Sequence, residues 1–176
     1  ISARVADAYA AAFGFRGGFP VALGYDQAAA RAWKPLVPRQ AWPLHCYGAV
    51  GVGRNMPPDA GTGAELYAVI GTPPRHLDRN IAVVGRVIEG IEHLSALPRG
   101  TGPLGFYQTA AERTGIQSIR LGSTVPDLPR YQYLSTESPS FARYVEARAN
   151  RRDAFFITPA GGVDICNLPV PVRRAP

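Results

Sequence analysis

Two short apolar runs flank a proline-rich loop between Ala60 and Val87, and this arrangement limits the fold more than any other feature of the chain. Glu65–Gly71 carries Leu, Tyr, Val and Ile and is closed by Gly71 and the pair Pro73-Pro74. Ile81–Ile88 opens after Asp78-Arg79-Asn80 and is closed by Glu89-Gly90. Runs of this length, rich in β-branched and aromatic residues and bounded by turn formers, read as buried strands. Two strands joined by such a loop supply the wall and rim of a binding groove. Side chains alternate along a strand, so Glu65 and Tyr67 share one face and Leu66 and Ala68 the other. A buried, unpaired carboxylate is costly. A Glu beside an aromatic therefore suits a groove better than a core.

The flanks follow the same logic. Ser2–Phe13 reads as a capped helix with Val5, Tyr9, Ala12 and Phe13 on one face, followed by a turn over Phe15–Pro20. Asp26–Trp33 reads as a short helix ending before Pro35, and Pro35–Pro43 as an extended linker. His45–Val52 is a further strand candidate, in which Gly48, Gly51 and Gly53 signal a bulge or a close approach. Arg54–Gly63 is a turn-rich loop. Gly90–Leu97 reads as a short helix with Ile91, Leu94 and Leu97 inward, and Ile116–Leu121 alternates as a strand. Ser138–Arg148 has a helix signature, with Ser138 as cap, Pro139 in the first turn and Phe141, Tyr144, Val145 and Arg148 on one face. Ala154–Thr158 and Val163–Cys166 read as a hairpin.

Composition narrows the class. With 19 Gly and 17 Pro in 176 residues, a mainly β, loop-rich fold with a few helices is favoured over a helical bundle. No apolar run is long enough to span a membrane. The net charge of +6 comes almost wholly from arginine, Lys34 being the only lysine. The pairs Arg151-Arg152 and Arg173-Arg174 do not interleave with aromatics, so a solvated face is expected and no nucleic-acid partner. Cys46 and Cys166 fit either one disulfide, which would suggest an exported protein, or two buried thiols. His45, His76 and His93 lack zinc-ligand spacing, so no metal is expected. The first residue is Ile, which reads as a processed or truncated chain.

One stretch carries a family resemblance. Gly63-Ala64-Glu65-Leu66-Tyr67-Ala68-Val69-Ile70, then Leu77-Asp78-Arg79-Asn80, then Val83-Val84-Gly85-Arg86-Val87 and Ile88-Glu89-Gly90, resemble in order and spacing the second half of the cyclophilin-type peptidyl-prolyl isomerases. There a Gly-Ser-Gln-Phe-Phe-Ile strand precedes Leu-Asp-Gly-Lys, Val-Phe-Gly-Arg-Val and a Glu-Gly turn. The resemblance covers roughly residues 48–121. It implies the C-terminal half of a cyclophilin-like β-barrel over 44–121, with 1–43 as an N-terminal insertion and 122–176 as a C-terminal helix–hairpin extension packed on that core.

The resemblance also implies a site. Tyr67 stands at the aromatic of the proline pocket, and Leu77 at its Leu. Glu65 stands where the family has a Gln that holds substrate backbone, and Gly53 and Arg54 at an Ala-Asn pair beside the residue before proline. His76 stands at a rim position often held by Trp, and Ile81 where some members have a His. The family's catalytic Arg lies in a Phe-x-Arg-Val-Ile segment followed by a Gln-Gly-Gly-Asp turn, and neither is in this sequence. Arg16 is the nearest look-alike, in the wrong context. The implied activity is cofactor-free isomerisation of X-Pro bonds in peptides or unfolded clients. A non-catalytic peptide-binding module is the alternative. A separate N-terminal fragment would complete the barrel. The implied compartment is the periplasm or cell exterior, with the cytoplasm as alternative.

Overall fold

A computed structural model describes residues 5–25 and 38–176. The helix expected over Asp26–Trp33 lies outside the described residues. The described chain is mainly β, with ten short strands in four small sheets and few helices. These strands form no closed barrel.

Gly17 and Gly18 have φ of 55° and 84°. Positive φ at both central residues is what a tight two-residue hairpin requires. They join β2 (Phe13–Arg16) to β3 (Phe19–Tyr25), so the turn expected over Phe15–Pro20 shrinks to its two glycines. The described part of the expected Pro35–Pro43 linker is β4 (Pro38–Pro43), paired with β3. Its prolines are tolerated because β4 is an edge strand.

No helix forms in the described part of Ser2–Phe13. Asp7 Oδ1 accepts the Tyr9 N–H at 2.8 Å, a local turn that competes with helix. The preceding β1 (Val5–Ala6) pairs in parallel with β9 (Val163–Asp164). That pairing replaces the hairpin expected between Ala154–Thr158 and Val163–Cys166, and leaves Ile157 fully exposed.

The central sheet is three-stranded. β5 (Ala49–Val52) lies between β6 (Leu66–Ala68) and β7 (Val83–Arg86), both antiparallel to it. Both apolar runs thus form strands, shorter than expected, each on one edge of β5. They are not buried: Leu66 is 53% and Val84 60% exposed. The strand expected from His45 begins only at Ala49, because Gly48, with φ of 82°, turns the chain there.

Helix α1 (Ile91–Ser95) forms, but Leu94 and Leu97 stay partly exposed and do not point inward as expected. Ile116–Leu121 forms no strand, pairs with none among the described residues, and leaves Ile116, Ile119 and Leu121 in solvent. β8 (Tyr131–Tyr133) pairs with β10 (Val172–Arg174). Helix α2 (Pro139–Ala149) starts as its sequence predicts, with Ser138 Oγ accepting the Phe141 N–H at 3.1 Å. Phe141, Val145 and Ala149 form its buried face, while Arg148 is exposed.

The core joins distant segments. Val5 and Ala22 pack with Leu44 and Cys46, with Phe141 and Val145 of α2, and with Ile165, Leu168 and Val170. A disulfide links Cys46 to Cys166 across 120 positions. The Tyr144 hydroxyl donates to the Pro169 carbonyl at 2.8 Å and ties α2 to the same C-terminal stretch. No helix among the described residues is long and apolar enough to cross a membrane.

Candidate functional site

Antiparallel pairing of β6 with β5 sets Tyr67 opposite Gly51, and the Gly53 N–H donates to the Glu65 carbonyl at 2.8 Å. Tyr67 and Glu65 therefore project from one face, each over a glycine. A Cβ on Gly51 would overlap Cζ and Oη of Tyr67, and one on Gly53 would stand 3.0 Å from the Glu65 side chain. The missing side chains at Gly51 and Gly53 make room for those of Tyr67 and Glu65. Glu65 is exposed and Tyr67 half-buried. At an exposed position the carboxylate keeps its hydration, which removes the burial cost.

The loop between β6 and β7 is tied to the edge of this sheet by main-chain bonds. Arg75–Leu77 form one 3-10 turn. The Ile81 N–H donates to the Leu77 carbonyl at 3.1 Å, and the Val52 N–H to the Ala82 carbonyl at 3.1 Å. Arg54 Nε donates to the Asn80 carbonyl at 2.9 Å and its Nη1 to the Asn55 carbonyl at 2.6 Å. These bonds bring Gly53, Arg54, Leu77 and Ile81 to one end of the sheet. His76 is exposed on the loop. Asp59 braces the Arg54–Gly63 loop by accepting the Asn55 N–H at 2.9 Å and the Gly61 N–H at 2.8 Å. Those main-chain bonds lower the pKa of its carboxyl group. Arg16 lies exposed at the end of β2, beside the hairpin glycines.

Beneath the face runs a buried polar chain that the sequence reading did not identify. Arg75 donates Nη1 and Nη2 to the two oxygens of Asp7 at 3.0 and 2.8 Å, and Nε to Asp78 Oδ2 at 2.6 Å. Asp78 Oδ1 accepts the His45 main-chain N–H at 3.0 Å and lies 2.9 Å from His45 Nδ1. His45 Nε2 lies 2.9 Å from the Tyr67 hydroxyl, with the two rings nearly parallel. The His45 and Asp7 side chains are fully buried, Arg75 and Asp78 nearly so. Burial acts to lower the Arg75 pKa, but its bonds to Asp7 and Asp78 outweigh that and the net shift is upward. Burial, followed by the Asp78 charge, raises the Tyr67 phenol above its usual value, so it stays protonated at neutral pH. A phenol held in that form is no nucleophile. The face offers hydrogen bonds, an aromatic ring and a carboxylate, and no activated group for covalent chemistry.

A separate open cavity of about 800 Å³ lies between the central sheet and the C-terminal stretch, lined by Leu44, Ala49, Val87, Ile91, Ile165 and Val170 among others. None of Gly53, Arg54, Glu65, Tyr67, His76, Leu77 or Ile81 lines it. Among the described residues, no three His, Cys, Asp or Glu side chains gather as a metal site. In comparison with known proteins, no family model and no curated sequence matches the chain.

Proposed function

We propose that the chain carries the proline-binding face of a cyclophilin-type peptidyl-prolyl cis-trans isomerase that assists protein folding. One observation carries the reading. Glu65 and Tyr67 stand side by side over two glycines, and the loop bearing His76 and Leu77 is tied to that tyrosine through Asp78 and His45. An aromatic ring beside a solvated hydrogen-bond acceptor, braced by a fixed loop, suits an extended segment with a proline in it.

The chemistry asked of such a face is modest in kind. Rotation about an X-Pro bond meets a barrier of about 18–20 kcal/mol, while the cis and trans forms differ by only about 0.5–1 kcal/mol. The barrier is amide resonance. It falls when the proline ring is gripped, the flanking backbone is held and a hydrogen bond reaches the prolyl nitrogen as it pyramidalises. In this reading Tyr67 and Leu77 grip the ring and Ile81 lines the floor. Glu65 accepts a substrate N–H, Gly53 and Arg54 flank the residue before proline, and His76 sits at the rim. The donor to the prolyl nitrogen would come from an N-terminal fragment that completes the sheet. The half-exposed β6 and β7, with Leu66 and Val84 in solvent, support such a partner. The Cys46–Cys166 bridge supports an oxidising compartment, the periplasm or cell exterior, over the cytoplasm.

The alternative is a binding module without turnover, and Glu65 favours it: a carboxylate accepts from a substrate N–H but cannot donate to its carbonyl as an amide would. Exchange spectroscopy on an Ala-Pro peptide separates the two. Turnover gives cis–trans exchange cross-peaks with the protein and none with Tyr67→Ala. Binding without exchange selects the module. Absence of both, with Tyr67→Ala unchanged from wild type, overturns the proline reading altogether.

A further inference from the structure

We propose that His45 is a positioning residue that fixes the Tyr67 ring on the face, braced from behind by Asp78, Arg75 and Asp7. What the ring does for a ligand rests on the proline-binding reading; the brace itself does not.

The geometry sets the direction of each bond. Asp78 pairs with Arg75 at 2.6 Å and is therefore a carboxylate, which only accepts. Its Oδ1 meets both the main-chain N–H and Nδ1 of His45, at 3.0 and 2.9 Å, so Nδ1 carries a proton. In the neutral imidazole this leaves the lone pair at Nε2, and the Tyr67 O–H donates to it across 2.9 Å. The histidine is held through backbone and ring by one carboxylate, and that carboxylate is held by a guanidinium clamped in turn on Asp7. On its other side the phenol lies against the bare Gly51, where a Cβ would collide with it. Tyr67 is thus fixed at its hydroxyl by His45 and along its ring by Gly51. A pocket that only needed an aromatic surface would gain nothing from a hydroxyl with a buried partner. Here that partner turns a ring with two free torsions into a fixed wall.

The test separates positioning from mere structural support. His45→Asn keeps a donor for Asp78 but is too short to reach Tyr67; His45→Gln reaches Tyr67 with its amide. The χ1 rotamer populations of residue 67 are read by NMR from three-bond couplings, together with affinity for an Ala-Pro peptide and the ¹⁵N signals of His45. The expected wild-type signature is a protonated Nδ1, a bare Nε2 and a single χ1 rotamer at Tyr67. His45→Asn should release the ring and weaken the peptide roughly three- to tenfold, the worth of one hydrogen bond, and His45→Gln should restore most of both. Tyr67→Phe removes only the hydroxyl and gives the same release if the His45 variants fail to fold. A single χ1 rotamer retained in both His45→Asn and Tyr67→Phe overturns the proposal. A wild type that binds no Ala-Pro peptide, with a ring still released by these variants, sinks the proline reading and upholds the brace.

Discussion

Replacing Cys46 and Cys166 together by alanine should destabilise the fold by about 5 kcal/mol. The bridge closes a loop across 120 positions. In the chain-entropy model a cross-link of that span removes about 16 cal/mol/K from the unfolded ensemble, or about 5 kcal/mol at 25 °C. Domains of this size are stable by only about 5–15 kcal/mol, so the loss is a third of the total or more. With an unfolding entropy of roughly 0.37 kcal/mol/K for a chain this long, the melting midpoint should drop by about 13 °C. The structure says why the effect should be global. Cys46 is buried in the core cluster with Val5, Ala22 and Phe141, and Cys166 packs against that cluster, so the bridge joins elements from both ends of the chain inside one core. Urea titration followed by tryptophan fluorescence and far-UV circular dichroism measures it, Trp42 being packed against this core. A loss under about 1 kcal/mol, with an unchanged denaturant slope, would contradict this role for the bridge. It would mean that the unfolded chain already holds the two segments together, or that they do not share one cooperative unit.

Three further outcomes follow from named contacts. Gly51→Ala should push Tyr67 off the sheet, cost about 1–3 kcal/mol by overpacking, and weaken proline-peptide binding as much as Tyr67→Ala does; a variant that keeps wild-type melting and affinity contradicts the packing at this glycine. Asp7→Asn breaks a nearly solvent-free ion pair with Arg75 and should cost about 3–5 kcal/mol in urea unfolding, whereas a loss below 1 kcal/mol would show that Asp78 alone satisfies the guanidinium. Glu112 is held at about 2, against an ordinary value of 4.5, chiefly by the Thr101 main-chain N–H and then by its hydroxyl. A depressed carboxyl stabilises fully above its unfolded value and loses that contribution as pH falls through its folded value, so the hold of Glu112 on the 101–112 loop should weaken progressively between about pH 4.5 and about 2. A ¹³C titration of the Glu112 carboxyl checks this, and an inflection near 4.5 would contradict it.

The parts of this fold that were legible in the sequence are those set by neighbours along the chain. Ser138-Pro139 ahead of Phe141 and Val145 predicts helix α2 because capping and periodicity act within a few residues. The Ser2–Phe13 periodicity misleads for the opposite reason. Asp7 leaves that pattern for Arg75, 68 positions away, and β1 finds its partner in β9. No local propensity competes with a buried ion pair and a parallel pairing that the pattern cannot see. The same holds for the two cysteines: their spacing left bridge and free thiols equally open, and the core decided. His45 shows the limit most sharply. The sequence places it beside Cys46 on an expected strand, without zinc-ligand spacing, yet the turn at Gly48 places it between Asp78 and Tyr67.

Gly51 and Gly53 join what was legible to what was not. Alternation alone puts Glu65 and Tyr67 on one face, whatever strand lies beside them. The glycines alone signal a bulge or a close approach, without saying of what. In the structure both signals have one cause. The β5–β7 register shifts between Val50 and Gly51, and the space a side chain would take at Gly51 and Gly53 is filled by Tyr67 and Glu65. A strand that gives up two side chains, with the entropy cost that glycine brings, gains nothing in its own packing. What it gains is a floor flat enough for two side chains of the next strand to lie on and face outward. That is what the proposed binding face needs of its neighbouring strand. Alanine tolerated at both positions, with Tyr67 and Glu65 unmoved, would contradict this role for the two glycines.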